Sequence, residues 1–538
     1  MKKLITLTLA IFFFVSMSNS QTFDWARSAG GGGSDQAYAI ATDNDGNSYV
    51  TGWFSGSAHF GDIVLTSTGD QDVFLAKYND NGEALWAVKA YGPANNSAAG
   101  ITLDWDDFPI ITGWFAEAIH FDDIILESHG SYDMFVARYS SEGHVIWARS
   151  AGGEGDDYGN RLTTNFEYDV IVSGSFRYTA HFGEETTITS EGNRDIFIAN
   201  YSNTGNFHWV KKAGGEGEDR AYGIICNDEG ATYFTGVFNG KAFFGEHDIM
   251  SNSFLSTYIA KMDGGGNFLW VRRGTGGAND YARGFGISMD NEGYVYGNGT
   301  FSGRLTFSEE TVESTGGQYD FDAYLVRYNH EGAFKWIRKA GGYGMDQGRD
   351  MFTDANGNTF TTGFFSNEAE FGDKVLESVG KSDIFIAKYN WTGEVVWAKR
   401  AGGNYLDYGY GISPGNPQSL YICGNFQEDA NFDDHEITGW GAFDMFIARL
   451  DYESDFVNEF NSGGLSIYPN PSDGTFEINL NEQHKSITVK IFSADGRLVV
   501  EKQVADPQNR IEIKTDLVPG AYSVQILELD VSSKLIIK

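Results

Sequence analysis

At 538 residues the chain exceeds what one hydrophobic core fills, so it divides into several domains or a repeat array. Aromatics at 15%, with 68 Gly, only 8 Pro and no long helical periodicity, predict an all-β protein of short strands and tight turns. The formal net charge is −36, and because the first twenty residues and the tail from Ser466 are nearly neutral it resides between them; such a field excludes nucleic acid and anionic lipid surfaces as partners and attracts cations.

Residues 1–20, "MKKLITLTLAIFFFVSMSNS", carry two lysines, an apolar stretch and the small residues Ser18 and Ser20, the pattern of a secretory signal that is removed before folding. Later in the chain no run of eighteen apolar residues follows, so no transmembrane segment is expected.

A repeat begins at once. Marker tryptophans stand at 25, 86, 147, 209, 270, 336 and 397, spaced 61, 61, 62, 61, 66 and 61 residues apart. Ten residues after each lie Asp35, Asn96, Asp157, Asp219, Asp280, Asp346 and Asp407. Within a unit, "AYAIATD", "NSYVTGWF", "DVFLAKY" and "EALWAVKA" alternate as strands do and are separated by turns such as "DNDGN" and "NDNG". Four strands per unit of about sixty residues predict a β-propeller, because radial packing of four-stranded sheets leaves only short edges. No capping repeat of the kind a solenoid needs is visible. The seventh unit ends at "DMFIARL" without its tryptophan strand, whereas "TFDWARS" precedes any complete unit. The N-terminal strand is therefore expected to complete the last sheet and close a seven-bladed, monomeric propeller over residues 21–452. Cys226 and Cys423 sit at different points of the repeat, which argues against a disulfide between them.

Chemistry is harder to find. The aspartates ten residues after each tryptophan are either an acidic collar or caps for their own turns, and their repetition favours caps. The loop at Asp43, Asp45 and Asn47 has the oxygen-rich look of a calcium loop, which makes calcium the one candidate cofactor; it lacks a Glu at the twelfth position, so a hairpin turn is the better reading. His59, His120 and His181 recur at one repeat position and cannot meet on a metal, so no metal ligands are assigned. "GISPG" around Ser413 has no helix after it, and "GGGGSD" precedes a strand; neither is a nucleophile elbow or a phosphate cradle, and no catalytic residue is assigned. A single ligand site has to break the repeat. Candidate ligand-binding residues are therefore Trp53 and Trp114, which in the first two units follow a glycine that other units follow with Ser, Val, Thr, Phe or Asn, and Asp104, Asp106 and Asp107 of "DWDD". The fifth unit carries five extra residues, two before Gly299 and three in "SEETVESTGGQYDFD".

"DNDGNSYVTG" at 43–52 and "DIFIAKYNWTGEVVWAKRAGG" at 383–403 resemble the bacterial β-propeller repeat family, a resemblance that spans about residues 22–452 and implies the fold but no activity. After a polar linker at 453–465, residues 466–538 read as a small β-sandwich of alternating strands. Tyr468, Pro469, Asn470, Pro471, Gly474, Gly496, Gly520 and Tyr522 fall where the C-terminal type A sorting domain of the type IX secretion system has them. That resemblance implies passage through the periplasm and across the outer membrane by the type IX machinery, with the cargo released or attached at the surface. Three functions remain open: a non-catalytic binding or adhesion propeller for a glycan or protein, a structural surface scaffold, or a polysaccharide-acting enzyme that would need an asymmetric carboxylate pair.

Overall fold

The computed structural model describes residues 21–415 and 418–452, and in the tail 466–468, 472, 474–479, 486–493, 498–505, 510–515, 517, 520–526 and 531–537. The signal at 1–20 and the linker at 453–465 lie outside the described residues. Contacts divide the chain into two compact units, Met1–Tyr452 and Glu453–Lys538. Among the described residues the structure is strand throughout, apart from one short 3-10 turn at Gly317–Tyr319.

Each repeat in the first unit builds an antiparallel four-stranded sheet, the first of them from Gln36–Thr42, Ser48–Phe54, Asp72–Tyr78 and Ala84–Ala90 in that order. The two middle strands are almost wholly buried and read as near-continuous apolar runs, whereas Ala84–Ala90 is largely half-buried. The N-terminal strand Thr22–Gly31 pairs with Asp444–Asp451, Ala26 opposite Ala448, and lies fourth in the sheet that starts with Tyr408–Pro414.

The structure corrects the count of four strands per unit. A hairpin of two four-residue strands, Ser57–Phe60 and Ile63–Thr66 in the first unit, follows the second strand and extends the preceding sheet, with Gly30 opposite His59 and Gly31 opposite Ala58. Most of the sheets therefore have six strands. This approach explains the "AGG" signature: a Cβ on Gly31 would collide with the carbonyl of Ser57, and one on Gly30, at φ +140°, would run into the carboxylates of Asp444 and Asp35. In the second unit Tyr91 replaces the first of these glycines, and there the hairpin Ala118–Phe121 with Ile124–Glu127 joins its neighbour only through the Tyr91–His120 bridge.

The cores lie between consecutive sheets. One cluster joins Phe360, Ile384 and Trp397 to Leu420, Phe446 and Phe23, and the next joins Tyr421, Ile447 and Trp25 to Val50, Phe54 and Phe74. Every marker tryptophan whose indole bond is resolved reaches into the next repeat: the indole N–H of Trp25 donates to the Asp80 carbonyl at 2.9 Å, that of Trp86 to Ser141 at 2.9 Å and that of Trp147 to Asn203 at 2.8 Å. Each ring is covered by the glycine of that turn, Gly82, Gly143 or Gly205, where a side chain would strike the indole. The repeated tryptophan is thus an inter-sheet anchor that exchanges apolar area for a satisfied indole donor.

In the tail, Ser466–Tyr468, Thr475–Asn479 and Arg510–Lys514 form one sheet, and Leu498–Ala505, Ser486–Ser493, Gly520–Ile526 and Val531–Ile537 the other. Phe476, Ile478, Ile511 and Ile513 of the first share a core with Ile487, Val489, Ile491 and Val524 of the second, which makes the small β-sandwich.

Candidate functional site

The aspartates after each tryptophan are caps. Asp35 accepts from Gly31 N–H at 2.7 Å and Ser55 N–H at 3.0 Å, and the same two bonds recur at Asp157, Asp219, Asp346 and Asp407, all at most 1% exposed. Each lies beside a second carboxylate from the start of a third strand, respectively Asp444, Asp133, Asp195, Asp322 and Asp383. Burial, opposed by the backbone bonds and reinforced by the neighbouring carboxylate, pushes Asp35 up to about 6 and the other four up to about 7. Oδ1 of each of the five partners meets no donor. The second and fifth units differ: Asn96 stands beside Asp72, and Asp280 replaces the pair with a single carboxylate.

The residues singled out in the sequence do not come together as one exposed platform. Trp53 is only 9% exposed, and its indole N–H donates to the Tyr38 hydroxyl at 3.3 Å; Trp114 is half-buried edge-on to Tyr132, with ring centroids 4.9 Å apart. Paired exposed indoles are therefore replaced by one buried and one flanked ring, because the middle strand that carries them is covered on both faces. Asp104 is a turn cap, accepting from Asp106 N–H at 2.9 Å and Phe108 N–H at 3.1 Å while its Oδ2 takes the Arg138 Nε at 2.7 Å. Asp106 is exposed, 4.0 Å from Arg138. Asp107, at φ +58°, closes the turn; burial and then Asp43, Asp45 and Asp104 raise its carboxyl. Asp43 caps its own turn through Asp45 and Asn47 N–H at 3.1 and 2.8 Å. Among the described residues, no three His, Cys, Asp or Glu side chains converge in a way that could hold a metal ion.

In the tail, Tyr522 is 8% exposed within the sandwich core, Gly474 takes φ +100° with its carbonyl accepting from Thr515 N–H at 2.8 Å, and Gly520 and Tyr468 lie in strands. Pro469, Asn470, Pro471 and Gly496 lie outside the described residues.

What departs most from the repeat is the first strand of each sheet. Every one carries a β-bulge: Ala37 faces Gly52 and Ala39 faces Thr51, so Tyr38 has no partner and turns out of the ladder. The bulged residue is Ala99, Asn160, Tyr222, Arg349 and Tyr410 in five other units, and in the fifth unit the bulge holds two residues, Phe285 and Gly286. Two residues before each single bulge, opposite the position of Trp53, stand Gln36, Ser97, Tyr158, Arg220, Gln347 and Tyr408, with Arg283 the counterpart in the fifth unit. Except for Ser97 and Gly286 these side chains are half-buried, and apart from Arg161 and Asp350 the residues flanking them are buried, so they border open space. First strands of consecutive sheets pack side by side, and Tyr408–Pro414 packs on Gln36–Thr42, where Thr42 Oγ1 lies 2.8 Å from Ser413 Oγ. A sequence reading centred on Trp53 and Trp114 missed these positions, although their identities at a fixed offset from each aspartate are variable.

Residues 466–538 match the secretion system C-terminal sorting domain family, and residues 24–56 match the β-propeller repeat family. An uncharacterized WD repeat-containing protein of Acanthamoeba polyphaga mimivirus is 21% identical over 80% of this chain, and the regulatory protein FlaEY of Caulobacter vibrioides is 29% identical over 20% of it. The aligned stretches span 38% and 12% of those relatives. The extracellular domain of a hybrid two component system from B. thetaiotaomicron overlaps 93% of this chain and 80% of its own at 10% identity and a TM-score of 0.17, so no argument rests on it. No helix among the described residues is long and apolar enough to cross a membrane. Residues 24–56 thus carry a β-propeller repeat and residues 466–538 a type IX C-terminal sorting domain, which indicates export by that machinery to the cell surface or the extracellular space.

Proposed function

We propose that the four-stranded sheets are seven blades of one ring closed by Thr22–Gly31, and that this ring is a monomeric, non-catalytic binding or adhesion module whose ligand sits where the first strands border open space. The observation that carries the reading is the bulge in every first strand: a register device kept in each unit while its residue varies among Tyr, Ala, Asn, Phe and Arg. Repetition of the bulge serves the fold, and variation at its tip serves one asymmetric ligand. A polysaccharide-acting enzyme gains no support from the five carboxylate pairs, which are alike, buried and committed to backbone caps, whereas hydrolysis uses two unlike carboxyls in contact with substrate.

The test is a glycan array probed with the purified exported protein beside Trp53→Ala, Trp114→Ala and Tyr222→Ala variants. Selective binding that falls in Tyr222→Ala, and in Trp53→Ala through the lost support of Tyr38, is expected. A blank array refutes glycan recognition, and release of reducing ends from a bound polysaccharide refutes the non-catalytic reading.

A further inference from the structure

Arg283 and Arg349 stand out in a chain of net charge −36. Among the described residues neither guanidinium has a carboxylate within ion-pair distance, although most arginines of this unit do; Arg138, Arg194 and Arg327 are each held by a nearby carboxylate. The Nε of both is buried and without a partner. Both are stacked on aromatic faces: Arg283 lies 5.0 Å from the Tyr281 ring, and Arg349 lies 4.5 Å from Phe285 and 5.3 Å from Tyr410. They come from adjoining sheets whose first strands pack together, and Arg349 lies over Phe285, two residues along the strand from Arg283; burial, opposed by Tyr410 and reinforced by Arg283, lowers Arg349 from its ordinary value. Two cations on neighbouring strands with no carboxylate in ion-pair distance cost free energy that folding alone does not require. An anion placed between them would relieve both costs.

Resting on the binding reading above, we propose that Arg283 and Arg349 form an anion subsite for a carboxylate and that the ligand is a short uronic-acid oligosaccharide. The guanidinium fork matches a planar carboxylate in two parallel bonds. Tyr38 and Tyr410, with ring centroids 5.4 Å apart, and Tyr222, 5.4 Å from Phe285, give flat faces for the C–H side of a pyranose and phenol groups for its hydroxyls. The acidic remainder of the protein repels long polyanions, which restricts the site to a short oligomer or a chain end. An acidic peptide shares the charge but not the flat sugar face, and it is one outcome of the test.

The experiment is isothermal titration of the full-length protein with trigalacturonic acid and with the neutral galactose trisaccharide of the same linkage, repeated for Arg283→Gln and Arg349→Gln after melting curves confirm that each is folded. Trigalacturonate is expected to bind at least about tenfold more tightly than the neutral sugar, and each variant to lose about tenfold, as charge-assisted bonds of this kind imply. Should Arg349→Gln fail to fold, Arg283→Gln carries the test alone. Equal binding of both sugars, or full affinity in the folded variants, overturns the anion subsite while leaving a neutral glycan site standing. No binding of trigalacturonate, or tighter binding of hexaglutamate, overturns it as well, and the array then decides separately whether the propeller binds glycans.

Discussion

Replacing Asp157 separates the two parts it plays. Its Oδ2 accepts from Gly153 N–H at 2.7 Å and its Oδ1 from Arg177 N–H at 3.1 Å, and it stands beside Asp133 with burial pushing it up to about 7. Asp157→Ala leaves both N–H groups buried without acceptors, at about 1–3 kcal/mol each, so a loss of about 2–6 kcal/mol is expected at acid pH, where the native carboxyl is neutral. Asp157→Asn keeps one acceptor and removes the ionisable group, for a cost of about 1 kcal/mol where the native carboxyl is already neutral.

The pH dependence follows from linkage. Because the folded value lies above the unfolded one, the folded state holds the proton more tightly; the contribution is complete at pH below about 4 and is lost as pH rises through about 7. Each pH unit in that window is about 1.4 kcal/mol, so the loss approaches on the order of 4 kcal/mol for the pair. Neither asparagine nor alanine at this position titrates, so D157N is expected to melt below the native protein at pH 5 and at or above it at pH 8, with D157A below D157N throughout and its gap to the native protein narrowing as pH rises. Differential scanning fluorimetry at pH 5, 6.5 and 8 reads the comparison, and the other carboxylate pairs cancel because all three proteins contain them. A gap between D157N and the native protein that does not change with pH refutes the account.

Deleting residues 21–31 removes the strand that buries Phe23, Trp25 and Ala29 against the last sheet. Burying two aromatic side chains is worth roughly 3–6 kcal/mol before the ladder bonds are counted, so a fall in melting temperature of several degrees is expected, and an unchanged midpoint sinks the proposed closure. Cys226 and Cys423 are both free, and burial pushes the Cys226 thiol up to about 11. Dithiothreitol should therefore leave the melting curve where it is; a shift downward on reduction contradicts the free-thiol assignment.

The repeat was legible because the same contact recurs. A tryptophan that anchors one sheet on the turn of the next has to return once per unit, and the glycine under its ring returns with it. Hairpins such as Ser57–Phe60 with Ile63–Thr66 were not legible: four residues give only two alternations, and the partner strand lies in the preceding unit, so nothing local announces the pairing. The place of Arg283 was hidden for a sharper reason. Counting three residues on from each aspartate puts Arg283 in the place of Tyr38, but the fifth unit inserts two residues between Asp280 and Arg283, where Tyr281 and Ala282 pair with Ser302 and Phe301, so Phe285 fills that place and Arg283 falls in register with Gln36. A one-residue slip sends a side chain to the other face of a strand, and a two-residue insertion ahead of it restores the face while moving the residue along it. Length told us that unit five held two extra residues before Gly299; only the pairing reveals where they set Arg283 on the strand that packs against the one carrying Arg349.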